Sequence, residues 1–367
     1  MKVLVAPDGF GGTLTAPEAA RAIARGWVRQ VPDDEVTVLP MADGGPGFID
    51  TLHAVLGSQL RITTVQGPQG EPTPVTVLHV DDIAYLESAQ ACGLQLLHAP
   101  DPWSSSTVGV GQAVVAAVDA GATTVVIGLG GSATHDAGAG LLAALGAEAD
   151  VPLDAGPRGL QGIGSVDLEA VRARLDGIRL VAATDVDVPL LGLFGTTKTF
   201  GAQKGLDEAG IVEVDAVLDA FVVATCGSTP AERRVADAPG AGAGGGLGFA
   251  LLVLGAEVRS GVELVGEAVG LQQACAAHDL VVSGEGTYDH TSRSGKVVHG
   301  VATCAAAAAR PCIVLAGDVT VGSREMRAMG VESAYSLVDL LGGDRAREEP
   351  QAALADLAAR TARTWSR

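Results

Sequence analysis

Aromatic residues make up only 3% of this 367-residue chain, with three Trp, three Tyr and six Phe set against fifty Gly. That balance argues against a β-sandwich and for many short turns with tight, alanine-packed helices. Basic charge is also scarce: 24 Lys and Arg face 43 Asp and Glu, for a net charge of −19. With no basic cluster to neutralise phosphates, binding to nucleic acid or an anionic membrane is excluded as the main task. No run approaches 18 uncharged apolar residues and Met1 leads straight into a strand, so neither a membrane span nor a signal peptide is expected and the cytoplasm is the expected location. The five cysteines (Cys92, Cys226, Cys275, Cys304, Cys312) are scattered, odd in number and without a CxxC pair. A disulfide framework and a thiolate metal cluster are thereby excluded, and all five read as buried thiols.

What is present suits a large α/β protein. Hydrophobic residues make up 47% of the chain and the mean hydropathy is +0.32, enough for two sizeable cores. Strands and helices alternate, which predicts mostly parallel sheet. Thr15-Ala16-Pro17-Glu18 is a capping box for a helix to about Gln30. Residues 61–65, 75–80 and 83–87 are close-spaced strands divided by Pro and Gly, the pattern of an antiparallel meander. The change of pattern predicts a boundary near residue 70, and the βαβ pattern returns near Asp279. Residues 1–70 plus 279–367 then form a Rossmann-like parallel-sheet domain made of both chain ends. Residues 71–278 form an inserted mixed α/β domain, with a ligand cleft between the two.

The richest stretch spans residues 122–146, a wholly apolar strand, a glycine- and hydroxyl-rich turn ending in His135-Asp136, and a small-residue helix. Gly130, Gly131 and Ser132 would let backbone N–H groups approach an anion, although any tight strand-to-helix turn also needs glycine. Five other apolar strands run into acids: Asp8, Asp43 followed by Gly44-Gly45, Asp185, Glu285 before Gly286, and Asp318. In open α/β sheets ligands bind beyond the carboxyl ends of strands, so these acids can converge on one site. Only four basic residues are lysine (Lys2, Lys198, Lys204, Lys296). A compact ammonium at Lys204, or at Lys296 by a helix start, suits a phosphate. The glycine-rich run at residues 239–248 reads as close backbone packing or a ligand-facing loop.

Seven collinear motifs resemble those of the bacterial type I glycerate kinases: APDGFGGTLTAPEAA (6–20), PMADGGPG (40–47), GLGGSATHDAGAG (128–140), ATDVDVPLLG (183–192), FGAQKG (200–205), PGAGAGGGLGFAL (239–251) and SGEGTYDHTSRSGK (283–296). The resemblance implies ATP-dependent, Mg²⁺-assisted phosphorylation of D-glycerate, to the 2-phospho isomer. Among the carboxylates and lysines retained, Asp185 or Asp136 is expected to be the base that positions the acceptor hydroxyl, with Lys204 or Lys296 on the transferring phosphoryl group. Gly130, Gly131, Ser132, Thr134, Glu285 and Gly286 would hold the nucleotide. Asp8, Asp43, Gly44, Gly45, His135 and Asp289 would hold the acceptor, and Asp185 with Glu285 the metal. The implied partner is a small molecule, and the oligomeric state is left open, a homodimer included.

Several polar family positions are replaced here. Gly9 and Gly11 stand for serine and lysine, Pro46 for glutamate, His135 and Ala137 for asparagine and glycine, Val188 for asparagine and Thr287 for arginine. Losing a lysine and an arginine removes charge that phosphoryl transfer uses. Alternatives to a glycerate kinase are therefore a same-fold kinase for another hydroxy acid or polyol, and a non-catalytic ligand-binding relative. An NAD(P)-binding enzyme is a further alternative, since residues 128–133 fit a relaxed G-x-G-x-x-A pattern with Glu148 some 20 residues on.

Overall fold

The computed structural model describes residues 1–293 and 296–366, with Arg293 as backbone only. Its strands are β1 (Lys2–Val5), β2 (Glu35–Val38), β3 (Gln59–Gln66), β4 (Pro72–Val80), β5 (Ile83–Glu87), β6 (Thr124–Gly128), β7 (Glu148–Ala149), β8 (Val166–Asp167), β9 (Arg179–Ala183), β10 (Glu257–Arg259), β11 (Leu280–Tyr288), β12 (Cys312–Val319) and β13 (Ser333–Ser336). The chain divides into two compact units. The first comprises Met1–Asp43, Asp50–Gly57 and the described part of Ser260–Arg367; the second comprises Gly44–Ile49 and Ser58–Arg259.

The first unit carries a five-stranded sheet, β13-β12-β11-β1-β2, in which every pairing is parallel. Parallel strands must be covered on both faces, and β1 accordingly buries Val3, Leu4 and Val5 completely. The helix Ala16–Gln30 starts as the sequence predicts, with the Thr15 hydroxyl accepting from the Glu18 N–H and the Glu18 carboxylate accepting from the Thr15 N–H. Its buried face (Ala19, Ala22, Ile23, Trp27) packs with Leu354, Leu357 and Ala358 of the helix Pro350–Trp365. Gly26 makes that approach close, because a Cβ there would stand 2.0 Å from the Ala355 carbonyl oxygen. Gly26→Ala, normally a helix-stabilising change, is therefore expected to destabilise this unit by about 1–3 kcal/mol. A lowered urea midpoint checks it, and a raised one would overturn the packing argument.

The second unit carries a six-stranded sheet, β10-β9-β6-β5-β4-β3, with β10, β9, β6 and β5 mutually parallel. The meander read from the sequence is present, since β3-β4 and β4-β5 pair antiparallel. The boundary predicted near residue 70 falls in the β3-β4 turn, and β3 belongs with the second unit because eight of its residues pair with β4. Strand β6 is apolar because it lies inside the sheet, and Val125, Val126 and Ile127 are buried. No helix among the described residues is long and apolar enough to cross a membrane.

Candidate functional site

The first unit gathers carboxylates by topology. β11, β1 and β2 are neighbours, and β1 keeps its backbone bonding on both sides past its end, from Asp8 N–H to the Gly284 carbonyl and from Met41 N–H to the Pro7 carbonyl. Three acids thus come to one end of three adjacent strands: Asp8 after β1, Asp43 after β2 and Glu285 on β11. Burial and then the Asp43 charge push the half-buried Asp8 carboxyl up to about 8, with Glu285 adding to the effect and Lys296 opposing it. Glu285 is 5% exposed and is raised chiefly by burial. The Ser292 hydroxyl donates to it at 2.6 Å and the Lys296 ammonium stands 4.0 Å away. Asp289 is used differently. Its carboxylate closes a local turn by accepting from the Thr291 hydroxyl and N–H, and the hydroxyl bond holds it below the ordinary range.

Like charges held this close favour a cation. Among the described residues no three His, Cys, Asp or Glu side chains form a ready-made metal cage. A hard divalent ion here would take one or two carboxylates and complete its shell with water and phosphate oxygens, the coordination Mg²⁺ prefers. Asp8, Asp43 and Glu285 fit that donor set. Asp185, read beside Glu285 as a metal ligand, lies in the second unit, half-buried just past the end of β9.

The turn after β6 is built for contact with its own unit. The Gly130 N–H donates to the Gly44 carbonyl at 3.2 Å. A Cβ on Gly128 would lie 2.4 Å from that carbonyl oxygen, and one on Gly130 would lie 2.5 Å from the Gly45 Cα. These glycines, and Gly44 and Gly45 opposite them, therefore let two turns lie backbone to backbone. Pro46 covers Gly131, 2.7 Å from where a Cβ would be. The Gly130 donor expected for an anion is thus already taken.

Nor does the turn lead directly into a helix. Ala139–Leu145 begins seven residues after Ser132, and its first-turn donors are satisfied by Asp136 and the Thr107 hydroxyl. That carboxylate is fully buried and accepts from the N–H groups of Thr107, Gly138 and Gly140 and from the Thr107 hydroxyl, at 2.8–3.2 Å. Burial raises its pKa despite these bonds. Asp136, read from the sequence as a base, is held in the structure as a buried cap near the start of this helix. His135, read as an acceptor contact, is also fully buried, with the Phe200 backbone as its polar neighbour. Burial and the Lys204 charge keep the imidazole neutral.

Lys204 is 4% exposed. Its ammonium donates to the Ser132 hydroxyl at 3.0 Å and to the Thr134 carbonyl at 2.9 Å, and burial lowers its pKa to about 8. The glycine-rich run packs against the same segment. Gly244, Gly245 and Gly246 are all left-handed, and a Cβ on Gly245 would stand 1.7 Å from the Thr134 carbonyl oxygen. Ala137 also holds a left-handed φ of 51°, a cost of about 1–2 kcal/mol that its usual family glycine would not bear.

Sequence reasoning missed three supporting groups. Thr107 holds Asp136 and also accepts from the Leu141 N–H, but the partners lie 29 positions apart and share no local pattern. Ser292 sits seven residues from Glu285. Glu87, 5% exposed at the end of β5, accepts from the N–H groups of Gly47 and Ile49. Its signal was available, because β5 is one more apolar strand ending in an acid. Of the five cysteines, Cys92, Cys275 and Cys312 are buried as expected, whereas Cys226 and Cys304 are only half-buried.

The sequence matches the profile of the glycerate kinase family over residues 3–366. It is 36% identical over 351 residues to a glycerate 2-kinase of Escherichia coli, covering 93% of this chain and 92% of that protein. It is 40% identical over 353 residues to an uncharacterised protein of Mycobacterium bovis, covering 94% and 86% respectively. A crystal structure of a putative glycerate kinase 2 from Salmonella typhimurium LT2 superposes with a TM-score of 0.83 at 32% identity, covering 99% of this chain and 98% of that one.

Proposed function

The chain belongs to the glycerate kinase family, a family of phosphotransferases, and from that premise we propose that it transfers the γ-phosphoryl group of Mg-ATP to D-glycerate, giving 2-phosphoglycerate. The observation that carries this reading is the Asp8–Asp43–Glu285 cluster with Lys296 beside it. Its mutual repulsion is relieved by a divalent cation, and the cation's remaining sites suit phosphate oxygens. Bound there, Mg²⁺ would supply charge neutralisation to the phosphoryl group. Lys296 contributes a second positive charge, and Ser292 fixes the Glu285 carboxylate. Asp185 is the residue we assign to orienting and deprotonating the acceptor hydroxyl. Asp136 and His135, both closed off from solvent, are assigned to structure.

ADP release from Mg-ATP with D-glycerate, followed by ³¹P NMR of the product, tests the reading. Wild-type turnover giving the 2-phosphate is expected, with kcat lowered about 10²–10⁴-fold in Asp185→Ala. Absence of ADP release above the rate without acceptor, or a 3-phosphate product, would overturn it. One observation favours a second reading. Gly11, where the family usually has lysine, faces open space, with nothing within 4 Å of a Cβ placed there. A larger hydroxy acid or polyol would use that room, and faster turnover of such an acceptor than of D-glycerate would establish it.

A further inference from the structure

The first unit holds an open cavity of about 560 Å³ between the helices Gly261–Val269, Leu271–Ala277 and Val297–Ala307, outside the carboxylate cluster but sharing Lys296 with it. We propose that this cavity receives the nucleoside half of the nucleotide, base and ribose, while the phosphates leave it past Lys296 towards Glu285. The inference rests on the kinase reading above and specifies where that substrate binds.

Size is the first argument. Pockets of roughly 300–1,000 Å³ suit molecules of nucleoside size, whereas a three-carbon acid would leave most of this space to water. The lining is the second. Val262 and Leu271 give it an apolar wall for a flat base, and the missing side chains of Gly266 and Gly300 keep it wide. Glu263 offers a carboxylate acceptor, the chemistry that holds a ribose diol, and Gln272 offers an amide to a base edge. The Glu263 charge would repel a phosphate inside the cavity, which sets the direction of the ligand. At the rim, Lys296 is the N-cap of the eleven-residue helix Val297–Ala307, its side chain makes no capping bond, and its ammonium stands 4.0 Å from Glu285. Helix end and ammonium together suit a polyphosphate, whose remaining charge a cation held by Asp8, Asp43 and Glu285 would help to neutralise. The Nδ1 of His299 on the cavity wall is buried without a partner among the described residues, a polar atom still to be matched by a ligand.

Thr303 is exposed on the cavity wall, away from the carboxylates, so Thr303→Trp should fill the space without disturbing the fold. Gly266→Ala is a milder variant whose Cβ would make only ordinary contacts, the nearest at 3.4 Å to Leu271. With the intact protein and Mg²⁺, the KM for ATP is expected to rise at least about tenfold in Thr303→Trp and less in Gly266→Ala, while the KM for D-glycerate stays within about twofold. Calorimetry with adenosine and with inorganic tripolyphosphate separates the two ends of the ligand. Adenosine binding should be lost in Thr303→Trp and tripolyphosphate binding retained. An unchanged KM for ATP with unchanged adenosine binding would overturn the proposal, as would an equal rise in both KM values. If no acceptor is phosphorylated, the kinase reading falls, but loss of adenosine binding in Thr303→Trp would still uphold the cavity as the nucleoside site. Absence of adenosine and ATP binding to the wild type would overturn it.

Discussion

Asp136→Asn is expected to cost about 3–5 kcal/mol of stability while leaving turnover per folded molecule within a few-fold of wild type. The carboxylate accepts four hydrogen bonds and donates none. An amide must turn its NH₂ either towards the Gly138 N–H or towards the N–H groups of Thr107 and Gly140, so at least one buried donor meets another donor. The start of the helix Ala139–Leu145 would lose its cap, and the Thr107 hydroxyl one of its partners. Denaturant unfolding combined with kcat per folded molecule checks this. A variant as stable as wild type but inactive would restore Asp136 to the role of base.

Lys204→Met should lower both the stability and the activity of the protein. Methionine fills the volume but removes both donations and leaves the Thr134 carbonyl unsatisfied, about 1–3 kcal/mol of stability. If the ammonium acts on the phosphoryl group, either directly or by setting the Ser132 turn, turnover should fall about 10²–10³-fold. The pH dependence supplies an independent readout. The folded pKa, about 8, lies below the ordinary lysine value. Below pH 8 both folded and unfolded chains carry the proton. From about 8 to the ordinary lysine value the unfolded chain binds more, so in this window the Lys204 contribution to wild-type stability rises with pH. Activity that needs the charged form runs the other way and declines as pH passes about 8. The methionine variant should lack both features, and identical pH–rate profiles for the two proteins would sink the assignment.

The sequence was readable where its signal was local. Thr15 and Glu18 predict their helix start because a capping box fits within four residues, and the close-spaced strands at residues 61–87 predict their antiparallel pairing because Pro and Gly divide them. The ends of β1, β2 and β11 predict a carboxylate cluster because strand ends in a parallel sheet share one edge. The turn at residues 128–131 was harder to read. Glycines that admit a phosphate and glycines that admit another backbone look alike in sequence, and only the position of Gly44 and Gly45 separates them. The burial of Lys204 and its bonds to Ser132 and Thr134, about 70 positions away, have no local signal or periodicity in the sequence. The boundary read near residue 70 coincides with the β3-β4 turn. Composition changes there, yet the turn simply joins two paired strands.

The packing of Ala16–Gln30 on Pro350–Trp365 also has a consequence for how each molecule is made. Arg29 meets Asp356 at 2.8 Å across 327 positions of chain, so although Val3 and Val5 share a core with the first helix, its partner helix is absent until nearly everything after it has been synthesised. At about 5–20 residues per second, Ile23 and Trp27 wait on the order of tens of seconds. Meanwhile the second unit, drawn almost wholly from Ser58–Arg259, has all its strands and can fold. The unit that starts first finishes last, and during translation its exposed helix is the surface that a chaperone would shield and a protease would find.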